Sequence, residues 1–134
     1  MINLEEIKNK AQILSLHLPQ TKKTVGFLNR SFIEKMKNPF WLINTSRGKV
    51  VVTEDLVEGL KTKKILGAGL DVLEYESNSF NSLRNSNKIT PSLEYLIKSD
   101  KVLLSPHVAG WTYESHKKIA SIIIRKIKEL RLTN

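Results

Sequence analysis

Three short segments carry residues that could do chemistry together. Asn44-Thr45-Ser46-Arg47-Gly48 sets an arginine at a turn, Asp71 is followed by Glu74 and Glu76, and Pro106-His107-Val108-Ala109-Gly110 sets a histidine between a proline and a small-residue turn. A guanidinium stays charged and grips a carboxylate in two places. An imidazole backed by a carboxylate can give and take a proton near neutral pH. Together these groups make an anion clamp and an acid–base pair, provided that one rim of the fold collects them. Each also has a plainer reading. Arg47 could be an ordinary surface arginine. Asp71 lies in an apolar run, where a carboxylate is costly unless hydrogen-bonded, and most such acids are satisfied locally. His107 is better placed for catalysis than a core histidine is. His17 closes an apolar run and reads as structural, and His116 reads as solvated.

Other chemistries find no footing. The 3 histidines show neither a metal-site spacing nor a helical i, i+4 pair, so no metal is expected. No serine sits in a nucleophile elbow, and there is no phosphate loop of the GKS or GKT kind. Gly67-Ala68-Gly69 imitates the start of a dinucleotide fingerprint, but the position of its third glycine is Val72.

The elements that must position these residues are legible from periodicity. Strand-like runs occur at Ile13–Leu18, Phe40–Thr45, Ile65–Val72 and Lys101–Ser105, each bounded by turn chemistry. Helices lie between them. Asn3 with Glu6, and Ser31 with Glu34, have capping-box spacing. Thr53 can cap Glu54–Lys64, and Thr112 can cap a long helix to about Leu130, with Ile119, Ile122, Ile123, Ile127 and Leu130 as an apolar stripe. Glu76–Pro91 reads as an Asn- and Ser-rich surface excursion, followed by a short helix at Ser92–Ser99. Alternating strands and helices imply an α/β fold, a parallel sheet covered on both faces. Ligands bind such sheets beyond the carboxyl ends of the strands. Those ends read His17-Leu18-Pro19, Asn44 to Gly48, Asp71 to Glu76, and Pro106 to Gly110, so the chemistry collects at one rim.

Composition limits the rest. The chain has 134 residues, 40% hydrophobic and 26% charged, which suits one soluble domain, 1–134, with no linker. No run has the length of a membrane span and the N-terminus lacks the order of a signal peptide, so no membrane partner is expected. The absence of cysteine allows a reducing cytoplasm, the expected location. The net charge of +9 raises nucleic-acid binding. The lysines are spread, however, and aromatics do not interleave with them, so a solvated surface is the expectation and nucleic acid is not.

Leu16-His17-Leu18-Pro19 through Gly26-Phe27-Leu28-Asn29, Ile43 to Gly48, Gly69-Leu70-Asp71-Val72 and Ser105 to Gly110 resemble, in order and spacing, the D-isomer-specific 2-hydroxyacid dehydrogenases. That family includes D-lactate, 3-phosphoglycerate, glycerate/hydroxypyruvate and formate dehydrogenases, and the resemblance runs over nearly the whole chain. It implies the C-terminal half of a Rossmann-type parallel sheet with flanking helices and a long C-terminal helix. It implies reversible reduction of a 2-keto acid to a D-2-hydroxy acid, with NAD as cofactor and NADP still open. Arg47 would hold the substrate carboxylate and polarise its keto oxygen. His107 would exchange the proton with that oxygen, and Glu76, five residues beyond Asp71, would orient the imidazole. Asp71 would face the nicotinamide carboxamide. Backbone at Leu18, Pro19, Thr45 and Ser46, with the turn from His107 to Gly110, would line the nicotinamide ribose side. Ser77 stands where the family commonly has a proline after the acid.

The family's substrate domain and the Gly-rich first half of its dinucleotide domain have no counterpart in this sequence. The expected consequences are weak NAD affinity for the isolated chain, a bare apolar edge at Ile13–Leu18, and a partly exposed stripe on the last helix. Dimerisation, or pairing with an N-terminal portion, is expected from that edge. A separate piece of a dehydrogenase, expected to be inactive by itself, is the first reading. A non-catalytic remnant acting as a binding module is the alternative.

Overall fold

A computed structural model of the chain describes residues 3–75 and 89–131. Strands β1 (Ile13–Leu16), β2 (Phe40–Asn44), β3 (Ile65–Leu70) and β4 (Val102–Leu104) form one parallel sheet in the order β1-β2-β3-β4. Helices α1 (Leu4–Lys10), α2 (Arg30–Lys35), α3 (Thr53–Lys61), α4 (Pro91–Lys98) and α5 (Tyr113–Arg131) alternate with them, and a 3-10 turn spans Gly48–Val50. This is the expected α/β architecture, and each expected strand is present, though shorter by a residue or more. Most of the expected Glu76–Pro91 excursion, including Glu76 and Ser77, lies outside the described residues.

The core lies on one side of the sheet. Leu16, Phe40, Leu42, Ile65, Ala68 and Leu70 pack against Phe32 and Ile33 of α2, Leu56, Val57 and Leu60 of α3, and Leu93 and Leu96 of α4. The expectation of cover on both faces is corrected here. Ile13, Trp41, Ile43 and Leu103 are all exposed on the opposite face. The strand order explains why. Each strand adds on the same side of the last, and right-handed crossovers that step in one direction put every connecting helix on one face. On the bare face the Trp41 ring lies over Gly67, where a Cβ would come within 2.4 Å of the ring. Gly67-Ala68-Gly69 is therefore strand interior. The α5 stripe is also uncovered, with Ile119, Ile123, Ile127 and Leu130 exposed.

Three helix starts differ from expectation; α4 begins at Pro91 rather than Ser92, with Thr90 as its cap. α2 begins one residue earlier than Ser31, and its cap is Asn29, whose Oδ1 accepts the Phe32 N–H at 3.1 Å. Leu28 is held in a bridge to Val51, so the extended Asn29 is the first residue free to cap. Thr53 is the first residue inside α3, not its cap. Its N–H donates instead to the Glu74 carboxylate at 2.8 Å. α3 also stops at Lys61 rather than Lys64, because Lys63 turns left-handed (φ 59°). The caps at Asn3 and Thr112 are as expected, taking the N–H groups of Glu6 and Ser115.

Candidate active site

Leu16, Asn44, Leu70 and Leu104 are neighbours in the last full register row of the sheet. The ladder continues one step: the Asp71 N–H donates to the Asn44 carbonyl and the Ser105 N–H to the Leu70 carbonyl, both at 3.0 Å. Neighbouring strands lie about 4.8 Å apart. Thr45, Ser46 and Arg47, Asp71, and His107 with Gly110 therefore leave adjacent strands at one rim, with Leu18 and Pro19 beyond β1. Glu76 lies outside the described residues.

Asn44 builds the Arg47 turn. It is 1% exposed, and its Oδ1 accepts the Ser46 N–H at 3.1 Å and the Ser46 hydroxyl at 2.9 Å. Its Nδ2 donates to the Arg47 carbonyl at 3.2 Å. The buried Ser46 side chain is thus spent on the turn, and what Ser46 can offer a ligand is backbone. Arg47 is exposed, with one Nη1 hydrogen bond to the Ser46 carbonyl at 2.6 Å. The turn then passes so close to the next loop that position 48 must be glycine: a Cβ there would lie 1.9 Å from the Leu73 carbonyl oxygen. This contact locks the Arg47 loop to the loop that follows Asp71.

Asp71 is 3% exposed, and both of its oxygens accept hydrogen bonds. Its Oδ1 accepts the Ser105 hydroxyl at 2.6 Å and the Val108 N–H at 2.8 Å, and its Oδ2 accepts the Ala109 N–H at 2.9 Å. Burial pushes its carboxyl upward. The Ser105 hydroxyl, the Ala109 and Val108 N–H groups and the nearby His107 outweigh that and hold it below the ordinary aspartate value. His107, exposed at the apex of the same turn, is left-handed at φ 56°. Gly110 faces open space, with nothing within 4 Å of a Cβ built on it.

The remaining groups separate by role. Glu74 caps α3 through Thr53, and the Tyr75 hydroxyl donates to Glu54, so both are committed to the far side of this loop. His17 is exposed and shares a hydrogen bond of 2.8 Å with Ser15. Among the described residues no cluster of His, Cys, Asp and Glu could hold a metal, and no helix is long and apolar enough to cross a membrane. Sequence reasoning had not assigned structural roles to Asn44, Glu74 and Ser105. An asparagine at an inward-facing strand position was the one available signal for Asn44.

A family model for the NAD binding domain of the D-isomer specific 2-hydroxyacid dehydrogenases matches residues 1–109. A glyoxylate reductase from Thermofilum pendens is 38% identical over 93% of this chain and 33% of its own length. An aromatic 2-oxoacid reductase from Clostridium sporogenes is 34% identical over 97% of this chain and 40% of its own. Among solved structures, the D-lactate dehydrogenase of Aquifex aeolicus, complexed with NAD and lactic acid, superposes with a TM-score of 0.75 at 32% identity, covering 98% of this chain and 40% of that one. The chain thus spans between a third and two fifths of the length of these relatives. With this match over most of its residues, the chain belongs to the D-isomer specific 2-hydroxyacid dehydrogenase family, within its NAD binding domain.

Proposed function

We propose that the chain forms the nicotinamide side of an NAD-dependent oxidoreductase that interconverts a 2-keto acid and a D-2-hydroxy acid. The observation that carries this reading is the register row at Leu16, Asn44, Leu70 and Leu104, beyond which Arg47, Asp71 and His107 emerge on three adjacent strands. The names of the relatives support it, since they are reductases and dehydrogenases of 2-oxo and 2-hydroxy acids.

The rim fits a nicotinamide. Asp71 Oδ2 takes the Ala109 N–H, and a carboxylate oxygen can accept a second donor, which suits a carboxamide. Backbone at Leu18, Pro19, Thr45 and Ser46, and the open turn at Gly110, line the ribose side in this reading. When bound, the nicotinamide supplies or accepts the hydride. The chain's own residues do the rest. The Arg47 fork holds the substrate carboxylate and draws electron density toward the keto oxygen. His107 gives its proton to that oxygen as C2 is reduced to the alcohol, and takes it back in oxidation. Glu76 is assigned to hold the imidazole, because Glu74 is occupied as a helix cap. The reading includes a cytoplasmic setting and a homodimer or an added segment along β1, which pairs only with β2 among the described residues.

Two measurements test it. NAD added to the labelled chain is expected to shift the amide signals of Thr45, Ser46, Asp71 and His107 to Gly110. No shift at millimolar NAD would count against the cofactor assignment. In the complete protein, turnover of a panel of 2-keto acids with NADH is expected to fall by about a hundredfold or more in Arg47→Ala and His107→Ala. Full activity in either would sink the assignment of that residue.

A further inference from the structure

We propose that Asp71 is the positioning residue of the site: by tying Ser105, Val108 and Ala109 to one buried carboxylate, it forces His107 into a left-handed backbone and so fixes where the imidazole is presented. The functional consequence rests on the role given to His107 above, but the device is a property of the chain alone.

The argument starts from a cost. A residue with a Cβ pays about 1–2 kcal/mol to sit in the left-handed region, and only glycine escapes it. Among the described residues only Lys63 and His107 are non-glycine residues there. Lys63 has a familiar reason, since it ends α3 one residue after the cap Thr62. His107 follows no helix. It lies between Ser105, whose hydroxyl reaches Asp71, and Val108 and Ala109, whose N–H groups reach the same carboxylate.

The three donors pin the turn on both sides of His107. Its own N–H is turned back to the Ser105 carbonyl at 3.0 Å, which tightens the loop further. Two successive N–H groups converging on one anion are strong, charge-assisted donors, and burial of the acceptor strengthens them. With residues 105, 108 and 109 pinned, the chain between them has little freedom, and the left-handed turn at position 107 is how it closes. The side chain is then exposed at the rim rather than folded under it. A side chain held by a pinned backbone is pre-positioned for reaction, whereas one on a free loop must be ordered first.

The test uses the chain itself, so its outcome is separate from whether the chain turns over substrate. Amide hydrogen exchange and the Cα and Cβ chemical shifts of His107 are measured in the parent chain, in Asp71→Asn and in Ser105→Ala. Asp71→Asn sets an amide NH2 against N–H donors. Exchange at Val108 and Ala109 is expected to rise about ten- to a hundredfold, with Leu42 and Ala68 unchanged, and the His107 shifts to leave left-handed values. Ser105→Ala, which removes one donor, is expected to do the same by a smaller factor and covers the case in which Asp71→Asn does not fold. His107→Gly adds a second arm. In the parent it should favour the folded state about 5- to 30-fold over His107→Ala, and that advantage should vanish alongside Asp71→Asn. Unchanged His107 shifts and unchanged Val108 and Ala109 exchange in the folded Asp71 or Ser105 variants overturn the proposal. So does a glycine advantage that persists without Asp71. Loss of turnover in His107→Ala bears on the catalytic reading and leaves these outcomes as they stand.

Discussion

Gly48 and Leu73 meet backbone to backbone, so that a Cβ on Gly48 would lie 1.9 Å from the Leu73 carbonyl oxygen and 2.7 Å from the Glu74 nitrogen. No rotamer relieves such a clash, because neither partner is the end of a side chain. Gly48→Ala must therefore separate the loop that carries Arg47 from the loop that follows Asp71. A loss of about 3 kcal/mol is expected, at the upper end for overpacking, since backbone must move. Urea unfolding of the variant measures it, and a change under 0.5 kcal/mol would show that the two loops are not locked.

Glu74 joins the same loop to α3. Its carboxylate takes the Thr53 N–H where a side-chain cap is missing, and Glu54 and Asp55 add negative charge to the same helix start. Glu74→Ala is expected to cost about 1–2 kcal/mol, and Glu74→Gln, which keeps the acceptor without the charge, to cost less. Faster amide exchange at Thr53 in the alanine variant would locate the loss at this cap.

Most of the fold could be read from the chain because its strands are short apolar runs separated by amphipathic helices, and periodicity reports that directly. The bare face was not legible in the same way. Trp41 and Ile43 look as apolar as Phe40 and Leu42, and only the strand order shows that no crossover helix reaches them. Local signals also misled where a distant group won. Thr53 has the chemistry of a cap, but Glu74, 21 residues away, occupies that place. At the site, residue types pointed to Arg47, Asp71 and His107. The hydrogen bonds between Asp71 and the His107 turn span 34 to 38 residues, which no local pattern encodes.

Tyr75 offers an optical probe of this loop. Its phenol is pushed up to about 12, first by burial, then by its hydrogen bond to Glu54 and by the charges of Glu54 and Glu74. A phenol raised above its unfolded value adds stability that is complete below the ordinary value of 10.0 and is lost as pH rises through about 12. In an ultraviolet titration, the phenolate step that disappears in Tyr75→Phe is expected near pH 12. Glu54→Gln should move that step down. A step near pH 10 in the parent would mean that neither the burial of Tyr75 nor its Glu54 contact holds in solution.

The Asp71 carboxyl makes the opposite prediction. It is held below the ordinary value of 3.8, because hydrogen bonds from Ser105, Ala109 and Val108 outweigh its burial. The folded chain therefore gives up that proton more readily than the unfolded chain. Its contribution to stability is present above the unfolded value and is lost as pH falls through the folded one. Asp71→Asn has no proton to exchange here. Compared by urea unfolding, parent and variant should differ by about 2 kcal/mol at neutral pH, the scale of hydrogen bonds to a charged group. That gap should hold down to about pH 4 and then close as the solution is made more acid, because the parent's carboxyl is protonated and donates where it formerly accepted. A gap that stays constant from neutral to strongly acid conditions would mean that shape rather than charge holds the His107 turn, and the carboxylate would lose its special place in the site.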